Sequence, residues 1–135
     1  MEFYCRPVGF INSPFRTLEE TPNNGREKNT PGTIEILPEF SDCLLGLEKH
    51  KFIMVLSWFH LSDRTIQKVT PKMYIHEGER GVFSTRSPVR PNPIALTLLE
   101  LEKIEGLTLY VKGLDMIDKT PILDIKKYDS CLDAP

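Results

Sequence analysis

The chain has 135 residues, of which 40% are hydrophobic and 27% are charged, a composition typical of one compact globular domain. The formal net charge of −2 provides no general attraction to nucleic acid, so an RNA-binding site depends on local clustering of Lys and Arg. No apolar run approaches the roughly 18 residues needed to span a bilayer, and the N-terminus lacks the charged and apolar regions of a signal peptide. We therefore expect a cytoplasmic protein with no membrane partner.

Several common site signatures are absent. The three cysteines, Cys5, Cys43 and Cys131, are widely spaced and form no CxxC pair, which argues against a zinc site and favours a reducing setting. A domain of this length also folds without a metal ion or a disulfide, and we predict no bound metal. The sequence has no GxGxxG, GxxxxGK[ST], HExxH or GxSxG motif, which argues against Rossmann-type enzymes, kinases and hydrolases.

Short apolar runs separated by frequent prolines predict a fold made mainly of β-strands. The predicted strands are Val8 to Ile11, Thr33 to Ile36, Phe52 to Leu61, Gly81 to Thr85, Ile94 to Glu102, Leu107 to Lys112 and Ile122 to Ile125. The third run, FIMVLSWFHL, is almost wholly apolar and is predicted to be a buried central strand. Apolar and polar residues alternate in the sixth, which predicts a half-exposed strand joined to the fifth by a turn at Glu105-Gly106.

One short helix is predicted from Asp42 to about Lys49. Ser41 is its expected N-cap, and Leu44, Leu45 and Leu47 supply its expected buried face. The predicted architecture is a mainly β, single-domain β-barrel with one short helix over residues 1–135. Periodicity alone does not separate a barrel from a sandwich.

The strongest candidate for a ligand site is the segment Gly81 to Pro93, GVFSTRSPVRPNP. Three arginines, Arg80, Arg86 and Arg90, occur between residues 80 and 99 without any Asp or Glu. A guanidinium group is a rigid fork of donors that matches phosphate and carboxylate, and the prolines would hold the arginines and Asn92 in place before a ligand arrives. The alternative is a proline-rich corner between strands with solvated arginines.

A second candidate is the tight turn predicted at Asp118-Lys119-Thr120-Pro121. The backbone of such a turn can recognise the edge of an adenine or hold an ammonium group, although an ordinary hairpin turn has the same features. Asp115 and Asp124 offer oxygen ligands for a metal ion, but no nearby histidine supports that use. His60, at the end of the apolar strand, is either a site residue or a structural group bonded to a neighbouring loop.

The run TRSPVRPNP at residues 85–93 is long and specific, and it resembles the corresponding block of the TsaA-like (TrmO) family. The similarity extends to Val8 to Phe15 (VGFINSPF), to Trp58-Phe59-His60 and to the Asp118 to Pro121 turn, so it covers essentially the whole chain. The family consists of tRNA methyltransferases that methylate N6 of threonylcarbamoyladenosine, next to the anticodon. The resemblance implies a β-barrel, S-adenosylmethionine as cofactor, and a homodimer with the cofactor near the subunit interface. Bacterial members often carry an extra C-terminal domain, so the end of this chain at Pro135 predicts the short form.

Carried over position by position, the resemblance also implies a cofactor site. Its residues are Asn24, Gly25, His60, Leu61, Arg86, Leu96, Asp118, Lys119, Thr120 and Pro121. Leu61 and Lys119 depart from the family pattern, in which glutamine and glycine are common at these positions. Arg90 and Asn92 are candidates for substrate positioning, and no catalytic base is assigned. The alternatives to an enzyme are a sensor that binds S-adenosylmethionine without catalysis and a structural RNA-binding barrel.

Overall fold

β-Strands make up most of the regular structure, which we describe from a computed structural model of residues 1–135 that includes every side chain except that of Arg26. The strands are β1 (Gly9–Asn12), β2 (Pro31–Ile36), β3 (Phe52–Trp58), β4 (Lys68–Val69), β5 (Arg80–Gly81), β6 (Ile94–Glu105), β7 (Thr108–Lys112) and β8 (Pro121–Lys127). The short α-helices are α1 (Gly25–Lys28) and α2 (Ser130–Asp133), and 3-10 helices occur at Leu18–Glu20, Pro38–Leu44, Leu47–Lys49, Lys72–Glu77 and Val82–Ser84. Among the described residues, no helix is long and apolar enough to cross a membrane.

Six strands close into an antiparallel barrel in the order β1-β2-β7-β6-β3-β8. β1 completes the ring, because it pairs along its length with β2 and pairs with β8 at Gly9 and Phe10. A closed ring exposes no edge strand. This arrangement confirms the predicted β-barrel and excludes the sandwich that periodicity left open. β4 and β5 form a separate two-stranded sheet.

The barrel interior is filled by alternate side chains of each strand. In β3, Ile53, Val55 and Ser57 are buried, whereas the residues between them are only partly buried. The predicted buried central strand is present as β3, which pairs with β6 on one side and β8 on the other, but it ends at Trp58, before Leu61, and only its inner face is fully buried. The core consists of Ile11, Ile34, Ile36, Ile53, Val55, Leu99, Leu101, Leu109, Val111, Leu114, Met116 and Ile122.

The other strand predictions are confirmed to within a few residues, except the one at Gly81 to Thr85. There the chain leaves β5 after Gly81 and turns into a 3-10 helix. Val82 stabilises this turn. The Val82 side chain is buried, and the Val82 carbonyl oxygen accepts from the Thr85 amide at 3.0 Å. The segment is thus part of a compact loop.

The predicted helix from Asp42 to Lys49 is replaced by two short 3-10 helices, at Pro38–Leu44 and Leu47–Lys49. Gly46 separates them, because its φ of 86° is left-handed and interrupts a right-handed helix. Leu44 and Leu47 pack against the core as predicted, but Leu45 is 94% exposed. The break at Gly46 turns that side chain away from the barrel.

The segment that follows β7, residues 113–117, closes one end of the barrel. Leu114 and Met116 are fully buried in the core, and the Ser57 hydroxyl donates to Met116 Sδ at 3.3 Å. Gly25, at the start of α1, lies directly against this segment, where a Cβ would collide with the carbonyl oxygen of Gly113. Glycine is therefore the residue that allows α1 to approach the barrel end.

We predict that Gly25→Ala destabilises the protein, because the added methyl group must push α1 away from Gly113. Overpacking of this kind costs about 1–3 kcal/mol. Gly81→Ala is the matched control, since a Cβ there meets nothing within 4 Å and the Gly81 φ of −62° suits alanine. Scanning calorimetry of both variants tests the prediction, and equal melting temperatures would contradict it.

Candidate functional site

A cleft of about 620 Å³ opens beside the barrel, where α1, the start of β6 and the loop before β6 come together. We call it the large cleft. It is lined by Asn23, Asn24, Gly25, Phe59, Arg86, Ser87, Pro88, Arg90, Pro93, Ile94, Ala95, Leu96, Thr97, Leu98, Gly113 and Asp115. Its volume lies in the range of about 300–1,000 Å³ that is typical of small-molecule sites, and its lining combines apolar side chains with a few polar groups, as such sites require.

A smaller recess adjoins the large cleft at Phe59 and Asp115, which line both spaces. We call it the side recess. Its other lining residues are Leu18, His60, Leu61, Ser62, Ile117 and Thr120. The Phe59 amide donates to the Pro93 carbonyl oxygen at 2.9 Å, which fixes the boundary between the two spaces. The side recess has a volume of only about 10 Å³, room for one water molecule at most, so it extends the wall of the large cleft and is not a second ligand site.

Most of the predicted cofactor residues lie around these two spaces. Asn24, Gly25, Arg86 and Leu96 line the large cleft, and His60, Leu61 and Thr120 line the side recess. They come from distant parts of the chain, and the barrel topology brings them together. Asp118, Lys119 and Pro121 lie outside both linings.

The two arginines of the large cleft have different environments. Arg86 is exposed and forms no ion pair or hydrogen bond with any side chain that the structure describes. Arg90 instead donates through Nη2 to the carbonyl oxygens of Val82 (2.5 Å) and Thr85 (2.8 Å). These bonds fix the loop that carries Arg86. Arg90 is thus a structural residue of the site, and Arg86 is available to an anionic ligand.

Two other residues of the arginine-rich segment are occupied elsewhere. Arg80 forms an ion pair with Glu77, at the separate two-stranded sheet. Asn92 lies outside both linings, and its Oδ1 accepts from Arg64 Nη2 at 3.1 Å. Arg64 also donates to the Pro91 carbonyl oxygen at 2.8 Å. The predicted electropositive stretch is therefore divided, and the geometry gives Asn92 a structural partner in Arg64, which the sequence did not single out.

The predicted turn after the barrel-end segment is present, with the Thr120 amide donating to the Ile117 carbonyl oxygen at 3.2 Å. The amides of Asp118 and Lys119 donate to carbonyl oxygens in and just after β1, at 2.7 and 2.8 Å. The turn's N–H groups thus hold β1 in place and are not displayed to a ligand. Lys119 has a φ of 66°, a conformation that favours glycine, the residue that the family resemblance leads us to expect there.

Asp115 is the acidic residue of the site. Because Leu114 and Met116 on either side are buried in the core, alternation along the chain places the Asp115 carboxylate at the cleft. The hydroxyl of buried Thr97 donates to Asp115 Oδ1 at 3.0 Å. Burial raises the pKa of Asp115 above its ordinary value, and the hydrogen bond from Thr97 opposes that rise.

Sequence reasoning considered Asp115 only as a metal ligand and missed Thr97 and Phe59. Among the described residues, no group of three or more His, Cys, Asp or Glu is placed to hold a metal ion. The sequence does contain a feature that indicates the Asp115–Thr97 pair. Thr97 is a polar residue at an inward position of β6, and the next inward positions are Leu99 and Leu101. A polar residue in such a row indicates a polar partner at that end of the barrel.

We predict that Arg90→Ala destabilises the protein, because two carbonyl oxygens lose a charged donor. Hydrogen bonds to charged groups contribute about 1.5–3 kcal/mol each. Arg86→Ala is the matched control in the same loop, and like most surface substitutions it should change stability by less than about 0.5 kcal/mol. Urea denaturation compares the two variants. An equal loss of stability in both would disprove the different roles assigned to them.

The sequence matches the family described as the tRNA-methyltransferase O N-terminal domain over residues 10–134. This chain belongs to that family. The match covers nearly all of the chain and confirms the resemblance carried by the TRSPVRPNP block.

Relatives and solved structures agree with this assignment. A protein of Methanothermobacter thermautotrophicus, a probable S-adenosyl-L-methionine-binding protein, is 44% identical over 134 residues, covering 99% of this chain and 96% of the relative. The tRNA (adenine(37)-N6)-methyltransferase of Mus musculus is 48% identical over 138 residues, covering 96% of this chain and 31% of that protein. The crystal structure of TrmO from Pseudomonas aeruginosa matches with a TM-score of 0.82 at 33% identity, covering 100% of this chain and 60% of that one. The chain thus spans less than two thirds of the mouse and Pseudomonas proteins.

Proposed function

We propose that this chain is an S-adenosylmethionine-dependent methyltransferase that modifies tRNA at N6 of threonylcarbamoyladenosine, next to the anticodon. The observation that carries the proposal is membership of the tRNA-methyltransferase O N-terminal domain family over residues 10–134. The reaction class, the cofactor and the tRNA substrate follow from the family. The threonylcarbamoyl group is the finer part of the proposal, and the chemistry of the large cleft supports it.

The residues present fit S-adenosylmethionine. Asn24, Gly25 and Leu96 would hold it in the large cleft, with His60, Leu61 and Thr120 around the adjoining side recess, while Arg86, also carried over as a cofactor contact, is assigned to the substrate. Within the described part of the chain, Arg90 Nε and Ser62 Oγ are buried without a hydrogen-bond partner, and their residues line the two spaces. Buried polar atoms of this kind indicate a missing ligand or water. When bound, S-adenosylmethionine supplies an activated methyl group, so the protein's main task is to position the acceptor nitrogen.

Arg86 supports the choice of substrate. A guanidinium group pairs with carboxylate through two parallel hydrogen bonds, and threonylcarbamoyladenosine carries a carboxylate that plain adenosine lacks. Arg90 supports the Arg86–carboxylate interaction indirectly. Its hydrogen bonds to the carbonyl oxygens of Val82 and Thr85 hold the part of the loop that precedes Arg86. A site built around such a pair rejects substrates that leave the arginine without its partner. Arg86 therefore binds the threonyl carboxylate, and Arg90 acts through the loop.

The proposal includes a homodimer. Leu61, Phe83 and Leu96 are large apolar residues that are 64%, 89% and 44% exposed, and Leu61 and Leu96 line the two spaces. Phe83 lines neither space, but it lies in the loop before β6 that also carries Arg86, and exposed apolar side chains near a site are typical of an association surface. In a two-fold pair the same patch of both subunits would be covered, and each site would be completed by the partner. We also propose the cytoplasm as the compartment of this activity, because mature tRNA is used there.

The substrate assignment predicts methylation of tRNA that carries threonylcarbamoyladenosine and none of the same tRNA without that group. The assay incubates the protein and S-adenosylmethionine with each tRNA pool and measures nucleosides by mass spectrometry. Arg86→Ala should lower kcat/KM by on the order of 10- to 100-fold, because a charged hydrogen bond is lost. Arg6→Ala is the matched control, since Arg6 is exposed, pairs with Glu39 and lies outside both linings.

Three results would replace the proposal. Equal methylation of both pools would remove the threonylcarbamoyl group from the assignment. Binding of S-adenosylhomocysteine with methylation of neither pool would favour the sensor, and binding of tRNA alone would favour the structural barrel. Binding of tRNA should also weaken as salt rises, because phosphate contacts release counterions.

The dimer predicts a particle of twice the chain mass in multi-angle light scattering. Phe83→Glu should shift the protein toward monomer, because it places a charge in the apolar interface. Leu132→Glu is the control, since Leu132 is similarly exposed but lies on α2. A wild-type monomer that retains full activity would contradict the proposed interface.

A further inference from the structure

Asp115 occupies a position that no other described acidic residue shares, because it alone lines both the large cleft and the side recess. Asp118, nearby in sequence, has its carboxylate bonded to the Ser13 amide at 2.9 Å and lies outside both spaces. The carboxylate of Asp115 instead faces the cleft. It lines the large cleft at the point where the cleft adjoins the small side recess.

We propose that Asp115 is the proton acceptor of methyl transfer, taking the N6 proton of the acylated adenosine at the boundary between the large cleft and the side recess. This inference rests on the proposed function. An acylated N6 nitrogen is a weak nucleophile and must lose its proton as the new bond forms. The N6–H bond breaks and the proton passes to the carboxylate, while the N6–methyl bond forms. The methyl–sulfur bond breaks with its electron pair remaining on sulfur, and the carboxylic acid later releases its proton to water.

The bond from Thr97 prepares Asp115 for this role. A neutral hydroxyl orients the carboxylate without cancelling its charge, at an Oγ1–Oδ1 distance of 3.0 Å. A carboxylate accepts about four hydrogen bonds, so capacity remains for the substrate N–H. Thr97 is itself buried, which keeps its hydroxyl directed at this acceptor. Thr97 is therefore a positioning residue.

The surroundings of Asp115 change the pKa of its carboxyl group. Burial raises the pKa of Asp115, which makes its carboxylate a stronger base, and the hydrogen bond from Thr97 opposes that rise. The other charged and titratable groups that line the two spaces are Arg86 and Arg90, from the loop before β6, and His60, after β3. Arg86 and Arg90 carry no acceptor. His60 is the competing base, and the two assignments predict different pH profiles.

The test measures single-turnover methylation of threonylcarbamoyl tRNA at saturating S-adenosylmethionine, together with calorimetric binding of S-adenosylhomocysteine. Asp115→Asn keeps the acceptor for Thr97 but removes the base, so the rate should fall by on the order of 10²- to 10⁴-fold while product binding is unchanged. Asp124→Asn is the matched control, because Asp124 lies on β8 outside both spaces and pairs with exposed Lys126. It should retain the wild-type rate.

Two readouts separate proton transfer from a purely structural role. The wild-type rate should fall as pH drops through the pKa of Asp115, and Thr97→Val should move this fall to higher pH, because the lost bond favoured the ionised form. Carbon-13 NMR of the Asp115 carboxyl, measured in the ligand-free proteins without any turnover, should likewise show a higher Asp115 pKa in Thr97→Val than in the wild type. Asp115→Asn should also raise Tm at pH 7, because a raised folded-state pKa makes the ionised carboxylate destabilising, and this gain should vanish below the ordinary Asp pKa.

The outcomes distinguish the two proposals. A wild-type protein that methylates modified tRNA, with an Asp115→Asn variant of equal rate, overturns the role of Asp115 alone. Weaker product binding with a normal rate at saturation also overturns it, since Asp115 would then be a cofactor ligand. A large loss of rate in His60→Gln, with a normal rate in Asp115→Asn, assigns the base to His60. Wild-type protein inactive on both tRNA pools overturns the proposed function and this inference together.

Discussion

The structure depends on how the barrel closes at the end where residues 113–117 cross it. Six antiparallel strands leave an interior that side chains can fill, and Leu114 and Met116 complete that filling. Both are buried in the core, whereas Asp115 between them is only partly buried, lines the cleft and accepts from the inward-facing Thr97. The backbone of Gly113 then forms the surface on which Gly25 and α1 rest. Packing in the core therefore decides which carboxylate the cleft contains and which helix forms its wall.

The loop before β6 contains two arginines in different environments. Arg90 satisfies two backbone carbonyl oxygens in a loop that has left the sheet, and it does so from a partly buried position. Arg86, four residues earlier, has no such partner among the described side chains and remains exposed. A loop held by its own guanidinium presents the second guanidinium with less conformational freedom to lose on binding. Arg90 thus holds the loop, and Arg86 is the residue of that loop that we propose to bind the ligand.

Much of the fold follows from local sequence, because short apolar runs and proline breaks predict strands wherever the pattern is strong. The β6–β7 hairpin with its turn at Gly106 is such a case. The helix at Asp42 to Lys49 could not be excluded this way, since its cap residue, charges and leucines all favour a helix and a single left-handed Gly46 decides against it. The loop at Val82–Ser84 depends on Arg90, a tertiary partner that local pattern does not contain.

Most of the carried-over residues lie around the two spaces, but their contacts could not be predicted from the sequence. The TRSPVRPNP block identified the family, and positional transfer placed Arg86, Leu96 and His60 at spaces that the barrel then brought together. Which arginine binds and which supports depends on hydrogen bonds between segments, and those bonds exist only in the folded chain.

Arg86 and Asp115 also differ in how much their charges destabilise the folded protein. Arg86 keeps its charge in water, so leaving it without a partner costs little. Asp115 is partly buried, and the direction of its pKa shift shows that its charge is held against the preference of its surroundings. Thr97 offsets only part of that penalty, because a neutral hydroxyl stabilises a carboxylate less than an arginine does. An arginine partner would stabilise the fold further but would lower the basicity of the carboxylate. The pairing of Asp115 with Thr97 is therefore the arrangement expected where a carboxylate must stay ionised and still accept a proton.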